Sequence, residues 1–592
     1  MSSNAELPFD PLRAEGLCPP FYGLDSTEYI ASLIGFVEDG VAELPANVLG
    51  RVNQLKSRAL RNARAPINSK LPDELLMEVF AQLQHTGDYL PWYRVLLVCR
   101  RWFVLGSTAP RLWRKLSVRF RSVSLRLGLV RSKAVEVDLE AAYYLREDLL
   151  LETLTLITPH LHRLRSVRLS TIPPSCFPAL ADCMKHAMPA LEHLQLFAKE
   201  PFSDDEHRPD LHLDISPERF PKLETLYVSG MYVFGHPAIF SQLRKVEITS
   251  YAGPQPELGL ETLLEALRAA RNVEELHLFK VYVSDIEHAR LDRVLPKVTL
   301  RKLHKICIDT DARVIKRILA SVNIPVTALA HFEVDSDADN LRAAIPDDRS
   351  CLPVLSHIVD AQVTTTPHVH SLSGYADKAV VPWVPRSPFI LREQNVQFVI
   401  EEGFVADQDL VADLLHIFSD SRLESLCIQA GPETLDRTIK WRDVFIAYPT
   451  LKRLYIERPT PTESEIENWD AESGRCELSA IAIFKALDPG PAAEHAKTAG
   501  VGPYAVLCPG LEVIHVDGVD ANSSMKLLTT VRACLLNRRR ELGRPESQQL
   551  KELIIDAGNH QSDNIDYQKV QHAFETSLRH LVEHVVYHDE QA

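Results

Sequence analysis

The sequence predicts an α/β fold in which short strands and amphipathic helices alternate along most of the chain, entered through a small all-helical module near the N-terminus. Three observations carry this. An L-x-x-L-x-L pattern recurs at irregular intervals over most of the chain, amphipathic stretches lie between its copies, and the segment from Pro66 to Leu116 carries helix-period apolar residues instead.

The helical module comes first. Within it Leu71, Leu75, Leu76, Val79, Phe80 and Leu83 fall at helical spacing and predict one apolar stripe. Pro72 suits a first helical position, and Asp73 and Glu74 place negative charge where the helix dipole is positive. After the polar break at His85 to Asp88, a second helix is predicted from about Trp92 to Val104, with Val95, Leu96, Val98, Cys99, Trp102 and Phe103 apolar. The ordered series LPDELLMEVF, LLVCRRW and Pro110, Leu112, Trp113 resembles the F-box. The resemblance implies a module at 66–116 that docks onto the Skp adaptor of cullin-RING ubiquitin ligases. It places Leu71, Pro72, Leu75, Leu76, Val79, Phe80, Val98, Cys99, Trp102 and Trp113 at adaptor-facing or module-core positions, without dividing the two sets.

Residues 1–45 are weakly patterned and expected to be partly disordered, and 46–65 read as a basic lead-in helix. Beyond Trp113 the repeat takes over: AVEVDL at Ala134, then LRSVRL, LEHLQL, LETLYV, LRKVEI, VEELHL, LHKICI and LAHFEV, the last beginning at Leu329. From Leu164 to Leu329 the copies step by 27, 32, 20, 30, 30 and 26 residues. VQFVIE at Val396 restores the series, followed by LESLCI at Leu423, LKRLYI at Leu451, LEVIHV at Leu511 and LKELII at Leu550. Glu261 to Arg271 and Asp311 to Ser321 read as the intervening helices.

A strand plus a helix that cannot bury its apolar face alone must stack on its neighbours. The series resembles the leucine-rich-repeat family, which implies a strand-helix solenoid over 130–560, an irregular horseshoe because the usual asparagine is displaced: Asn272 and Asn323 fall elsewhere. A doubly wound parallel sheet is the alternative. Against it, these strands alternate charged with apolar residues, whereas strands covered on both faces read as continuous apolar runs. Segments at about 336–388 and 459–508 are rich in Pro, Gly and Ser and read as loop insertions, and 561–592 as a terminal capping helix.

Composition narrows the function. The segment Arg51 to Lys133 holds 17 Lys and Arg against 4 Asp and Glu in a chain of net charge −15. No nucleic-acid reader motif accompanies this basic end, so an acidic protein partner is the expectation and nucleic acid is not. No apolar run reaches the ~18 residues of a membrane span. The first residues lack the basic start and apolar core of a signal peptide, and ten scattered cysteines form no CxxC pair, so a cytoplasmic or nuclear location is expected.

No phosphate loop or nucleophile elbow is present, and no cofactor is expected. The nearest catalytic pattern is HLVEH at His580 to His584, which would put two histidines one helical turn apart and gives a zinc hydrolase as a remote alternative. The better reading is an adaptor without an active site, whose alternative is a binding scaffold outside any ligase. Alternation along the strands assigns Arg168, Gln195, Phe197, Tyr227, Glu247, His277, Phe279, Asp309, Glu333, Asp335, Tyr455, Glu457, His515, Asp517 and Asp556 to an open face. Its acidic and aromatic character predicts either a basic protein segment as ligand or mere solubility.

Overall fold

The computed structural model describes residues 57, 70–86, 95–96, 98–118, 122–141, 146–199, 212–233, 236–249, 260–281, 297–335, 340–365, 369–376, 395–401, 407–430, 441–457, 477–489, 506–519, 524–542, 550–557 and 567–589. The expectations for 1–45 and for the lead-in helix, residue 57 excepted, lie outside these residues. The chain divides into two compact units, Met1–Lys245 with Gly253–Pro256, and Val246–Ala252 with Glu257–Ala592.

Unit 1 opens with α1 (Asp73–Thr86) and α2 (Arg100–Thr108), joined by a 3-10 turn over Pro110–Trp113 to β1 (Lys115–Val118). It continues through α3 (Val123–Arg131), β2 (Val137–Ala141), α4 (Glu147–Ile157), β3 (Leu164–Ile172), α5 (Phe177–Met184), β4 (His193–Ala198) and β5 (Thr225–Ser229). Each strand lies parallel beside its successor, with Leu116 opposite Leu139, Leu139 opposite Val167, Val167 opposite Leu194, and Leu194 opposite Leu226. In most of the motifs all three apolar positions serve the core. In LEHLQL, Leu191, Leu194 and Leu196 are fully buried, the first just ahead of the strand. At Gly128 a Cβ would collide with the end of the Leu116 side chain, which would have to shift to admit it, so glycine eases the close approach of α3 to β1.

β6 (Lys245–Thr249) falls where the units divide. In unit 2 follow α6 (Leu260–Ala269), β7 (Glu275–Phe279), β8 (Val298–Thr299), β9 (Lys305–Thr310), α7 (Ala312–Ser321), β10 (Val322–Asn323) and β11 (Leu329–Val334). Asp311 caps α7 by accepting the Arg313 amide at 2.7 Å, as a residue placed just ahead of an apolar helix should. Then come β12 (Asp360–Thr365), β13 (Val369–Tyr375), β14 (Val396–Glu401), α8 (Asp407–Ile417), β15 (Ser425–Ala430), α9 (Trp441–Ala447) and β16 (Arg453–Glu457). The chain ends with α10 (Glu477–Leu487), β17 (Val513–Val519), α11 (Ser524–Leu542), β18 (Leu550–Ala557), α12 (Tyr567–Leu578) and β19 (Val582–Asp589).

The strands of unit 2 pair in the order β7, β9, β11, β14, β13, β12, β15, β16, β17, β18, β19, parallel throughout except at β13, which is antiparallel to both neighbours. Every strand motif quoted from the sequence becomes a strand. The structure corrects the connecting regions. The segment at 336–388, read as a loop insertion, contributes β12 and β13 to the sheet. Its Thr, Ser and Gln residues hid the strands, because neutral polar side chains satisfied by neighbours replace the usual charges.

The segment at 459–508 holds α10, whose Ala480, Ile481, Ile483, Phe484 and Leu487 are buried. The second helix of the N-terminal module begins at Arg100, with extended Cys99 as its N-cap, rather than at Trp92. The terminal capping helix is a helix followed by a strand, β19, in parallel register with β18, since the β-branched Val582, Val585 and Val586 suit a strand.

The crossover from β11 is pinned by one buried carboxylate. Asp413 on α8, 1% exposed, accepts the Leu341 amide at 2.7 Å and the Arg342 amide at 3.3 Å. Asp413→Ala leaves these amides without an acceptor, and a loss of ~1–3 kcal/mol in denaturant unfolding is expected.

Candidate functional site

The N-terminal module is built around a small core of Leu76, Phe80, Leu96, Leu112, Trp113 and Leu127, against which Leu71, Met77, Trp102 and Phe103 pack. Phe80 and Trp102 lie 5.1 Å apart between ring centroids. The Trp113 indole donates to the Gly106 carbonyl at 2.8 Å, and the Arg131 guanidinium sits 4.7 Å over its ring. Arg101 clamps the start of α1 by donating to the Leu71 carbonyl at 2.6 Å and to the Asp73 carboxylate. Because Leu127 belongs to α3, the module shares its core with the first strand-helix unit.

The single apolar stripe expected on α1 is in fact two. Leu76 and Phe80 face the core and are fully buried, while Leu75 at 51%, Val79 at 39% and Leu83 at 39% remain exposed. These three recur every fourth residue and so stand in one row along the outer face, with exposed Pro72 at its head. Among the other named residues, Cys99 and Trp113 are buried and Val98 and Trp102 half-buried. Sequence reasoning passed over Val104, 47% exposed on α2. Nothing in a Phe-Val-Leu run distinguishes the member that faces water.

The strand face forms two sets of rows. In unit 1, Arg168, Gln195 and Tyr227 stand side by side on β3, β4 and β5. Phe197 lies two residues on from Gln195 and therefore on the same face. In unit 2 one row runs His277, Cys307, His331, Gln397, Ser373, Gln362, Cys427, Tyr455, His515 across successive strands. The adjacent row runs Phe279, Asp309, Glu333, Val399, Ser371, Thr364, Gln429, Glu457. The reversed β13 thus places a neutral Ser/Thr/Gln patch between two groups of carboxylates.

These carboxylates are less available than the sequence suggested. Lys280 bridges Asp309 at 2.8 Å and Asp335 at 3.0 Å. Burial works against the Lys280 charge, but the two carboxylates outweigh it and hold the ammonium above its ordinary range. Burial raises Asp309, with Lys280 opposing, and a hydrogen bond from His331 lowers Glu333. Burial beside these carboxylates pushes the Cys307 thiol up to about 12, which leaves it un-ionised and a poor nucleophile. Glu247 pairs with His277, and Glu457, 4% exposed, accepts from the Gln429 amide at 3.0 Å.

His515, 6% exposed, has Nε2 2.7 Å from an Asp556 oxygen, with Tyr455 edge-on and Glu457 and Asp517 nearby. Burial opposes its protonation, but the Asp556 hydrogen bond prevails and raises the imidazole above its ordinary 6.5. A group whose folded value is raised stabilises fully below its unfolded value and loses that contribution as pH climbs through the folded one. The melting temperature should therefore fall above pH ~6.5 by a component that Asp556→Asn removes, as thermal scans across this window would show.

The HLVEH segment is not a helical pair. His580 lies in the turn after α12 and His584 on β19, both exposed, because alternation along a strand replaces the helical turn that would bring them together. No group of three His, Cys, Asp or Glu side chains able to hold a metal occurs among the described residues. No described helix is long and apolar enough to cross a membrane.

A family model described as F-box-like matches residues 68–119. The chain carries an F-box-like domain there, coincident with α1, α2 and the Trp113 turn and continuing into β1. F-box domains bind Skp-type adaptors, and the proteins that carry them are in general adaptors rather than enzymes. No curated protein matches the chain.

Proposed function

We propose that this protein is the substrate-recognition adaptor of an SCF-type E3 ubiquitin ligase. Its F-box would bind the Skp adaptor, and through it cullin, by the row Leu75, Val79, Leu83 headed by Pro72. The observation that carries this is that row: three large apolar side chains left in water above a core already filled by Leu76, Phe80 and Trp113.

The repeating strands are read as an irregular leucine-rich-repeat solenoid. Parallel strands that mostly follow one another in sequence, most of them closed by three buried apolar positions, support that reading, and the inverted order β14, β13, β12 with its antiparallel β13 marks its irregularity. The strand rows would hold a protein substrate. Mechanistically the tether raises the effective concentration of substrate lysines near the charged conjugating enzyme. Since Lys280 already takes up Asp309 and Asp335, and Glu247 and Asp556 face His277 and His515, the aromatics become the stronger anchors, Tyr227 on the rows of unit 1 and Phe279 and Tyr455 on those of unit 2. A cytoplasmic or nuclear location would accompany this role.

The test is reconstitution of the full chain with a Skp-type adaptor and cullin. Co-elution of all three supports the ligase reading. Capture of the adaptor without cullin favours a scaffold outside the ligase, and failure to capture the adaptor at all overturns both the row's assignment and the function.

A further inference from the structure

Among the described residues the outer face of α11 is a second unpartnered surface, distinct from the F-box row and the strand rows. Its inner face is complete: Leu527, Leu528, Val531, Cys534, Leu535 and Arg538 are buried, with Arg538 donating to the Leu507 and Cys508 carbonyls at 2.7 and 2.9 Å. α10 and α12 both pack against it. Facing away are Met525, 53% exposed, and Leu536, 37% exposed, with exposed Thr529 and Ala533 between them. At 100° per residue these four fall within about 80° of arc, a crest ~16 Å long from Met525 to Leu536. Lys526 and Arg532 flank the crest on opposite sides and Arg540 continues it, all exposed. Exposed Lys485 on α10 and Arg579 after α12 extend the positive charge beyond the helix. Glu541 is the one carboxylate on α11, and Lys526, Arg532 and Arg540 have no ion-pair partner among the described residues.

This cationic outer face carries methionine and leucine in water along its centre. An apolar crest with cationic flanks is the complement of an amphipathic helix whose apolar stripe is bordered by Asp and Glu. Nucleic acid would use the cations and leave the crest unused. A membrane surface would need more apolar area than two large side chains supply. We propose that α11 is a docking surface for an acidic amphipathic helix of a partner protein, with Met525 and Leu536 as anchors and Lys526, Arg532 and Arg540 as the recognising charges.

The proposal is tested on the full chain with a fluorescein-labelled Leu/Glu amphipathic helical peptide as probe. A matched Leu/Lys peptide, a DNA duplex and phosphatidylserine vesicles serve as the other arms. Saturable binding of the Leu/Glu peptide is expected, with Kd raised ~10-fold or more by Arg532→Glu with Arg540→Glu. Met525→Ser with Leu536→Ser should raise it several-fold, with unchanged melting curves showing that all variants are folded. Three results overturn the proposal: no saturable binding of the Leu/Glu peptide, binding indifferent to the charge reversals, or tighter binding of DNA or vesicles by the same residues.

Discussion

Leu75→Asp together with Val79→Asp is expected to abolish capture of a Skp-type adaptor while leaving the chain folded. Both side chains stand in water, at 51% and 39% exposure, so the carboxylates cost the free protein little. In a complex the same positions would be buried, and each carboxylate would have to be desolvated without a partner. The two apolar side chains also forgo ~1.5–3 kcal/mol each of burial. A loss of ~100-fold or more in affinity follows, each 1.4 kcal/mol being tenfold. Co-purification with the adaptor, read beside a melting curve, checks it. Wild-type capture by the folded double variant would show that this row is not the docking face.

Trp113→Ala is expected to have the largest effect on stability, ~3–5 kcal/mol, because truncation leaves a cavity at the centre of a small core. The residue touches more than the F-box. Its ring lies under Arg131 from α3, its indole holds the Gly106 carbonyl, and Leu127 of α3 belongs to the same cluster. Hydrogen exchange should therefore show α1, α2 and α3 losing protection together. If α3 kept its protection while α1 and α2 lost theirs, the F-box would be an independent unit and the shared core without energetic weight.

Much of this was legible from residue order. The strand positions could be read because L-x-x-L-x-L fixes three inward side chains whatever the neighbours do, and Leu191, Leu194 and Leu196 are all buried as that pattern requires. Strands without the pattern were mostly not legible, VQFVIE at Val396 being an exception. Those at Asp360–Thr365 and Val369–Tyr375 carry Gln362, Thr364, Ser371 and Ser373, whose pairing is made across the sheet, as in the hydrogen bonds of Gln362 with Tyr375 and Gln429. Likewise the alternating face of an isolated strand says nothing about Lys280, which arrives from beyond the end of β7 to take up Asp309 and Asp335.

The sequence by itself determined that a short helical module precedes a series of alternating strands and helices, because helical and strand periodicities are properties of local order. It could list Leu71, Pro72, Leu75, Leu76, Val79 and Phe80 but could not divide them, since a helix with apolar residues around much of its circumference has no intrinsic inside. Only the tertiary structure decided that α2, the Trp113 turn and α3 close over Leu76 and Phe80 and leave Leu75, Val79 and Leu83 in water. The physical reason is that burial belongs to pairs of surfaces, and the second surface lies elsewhere in the chain.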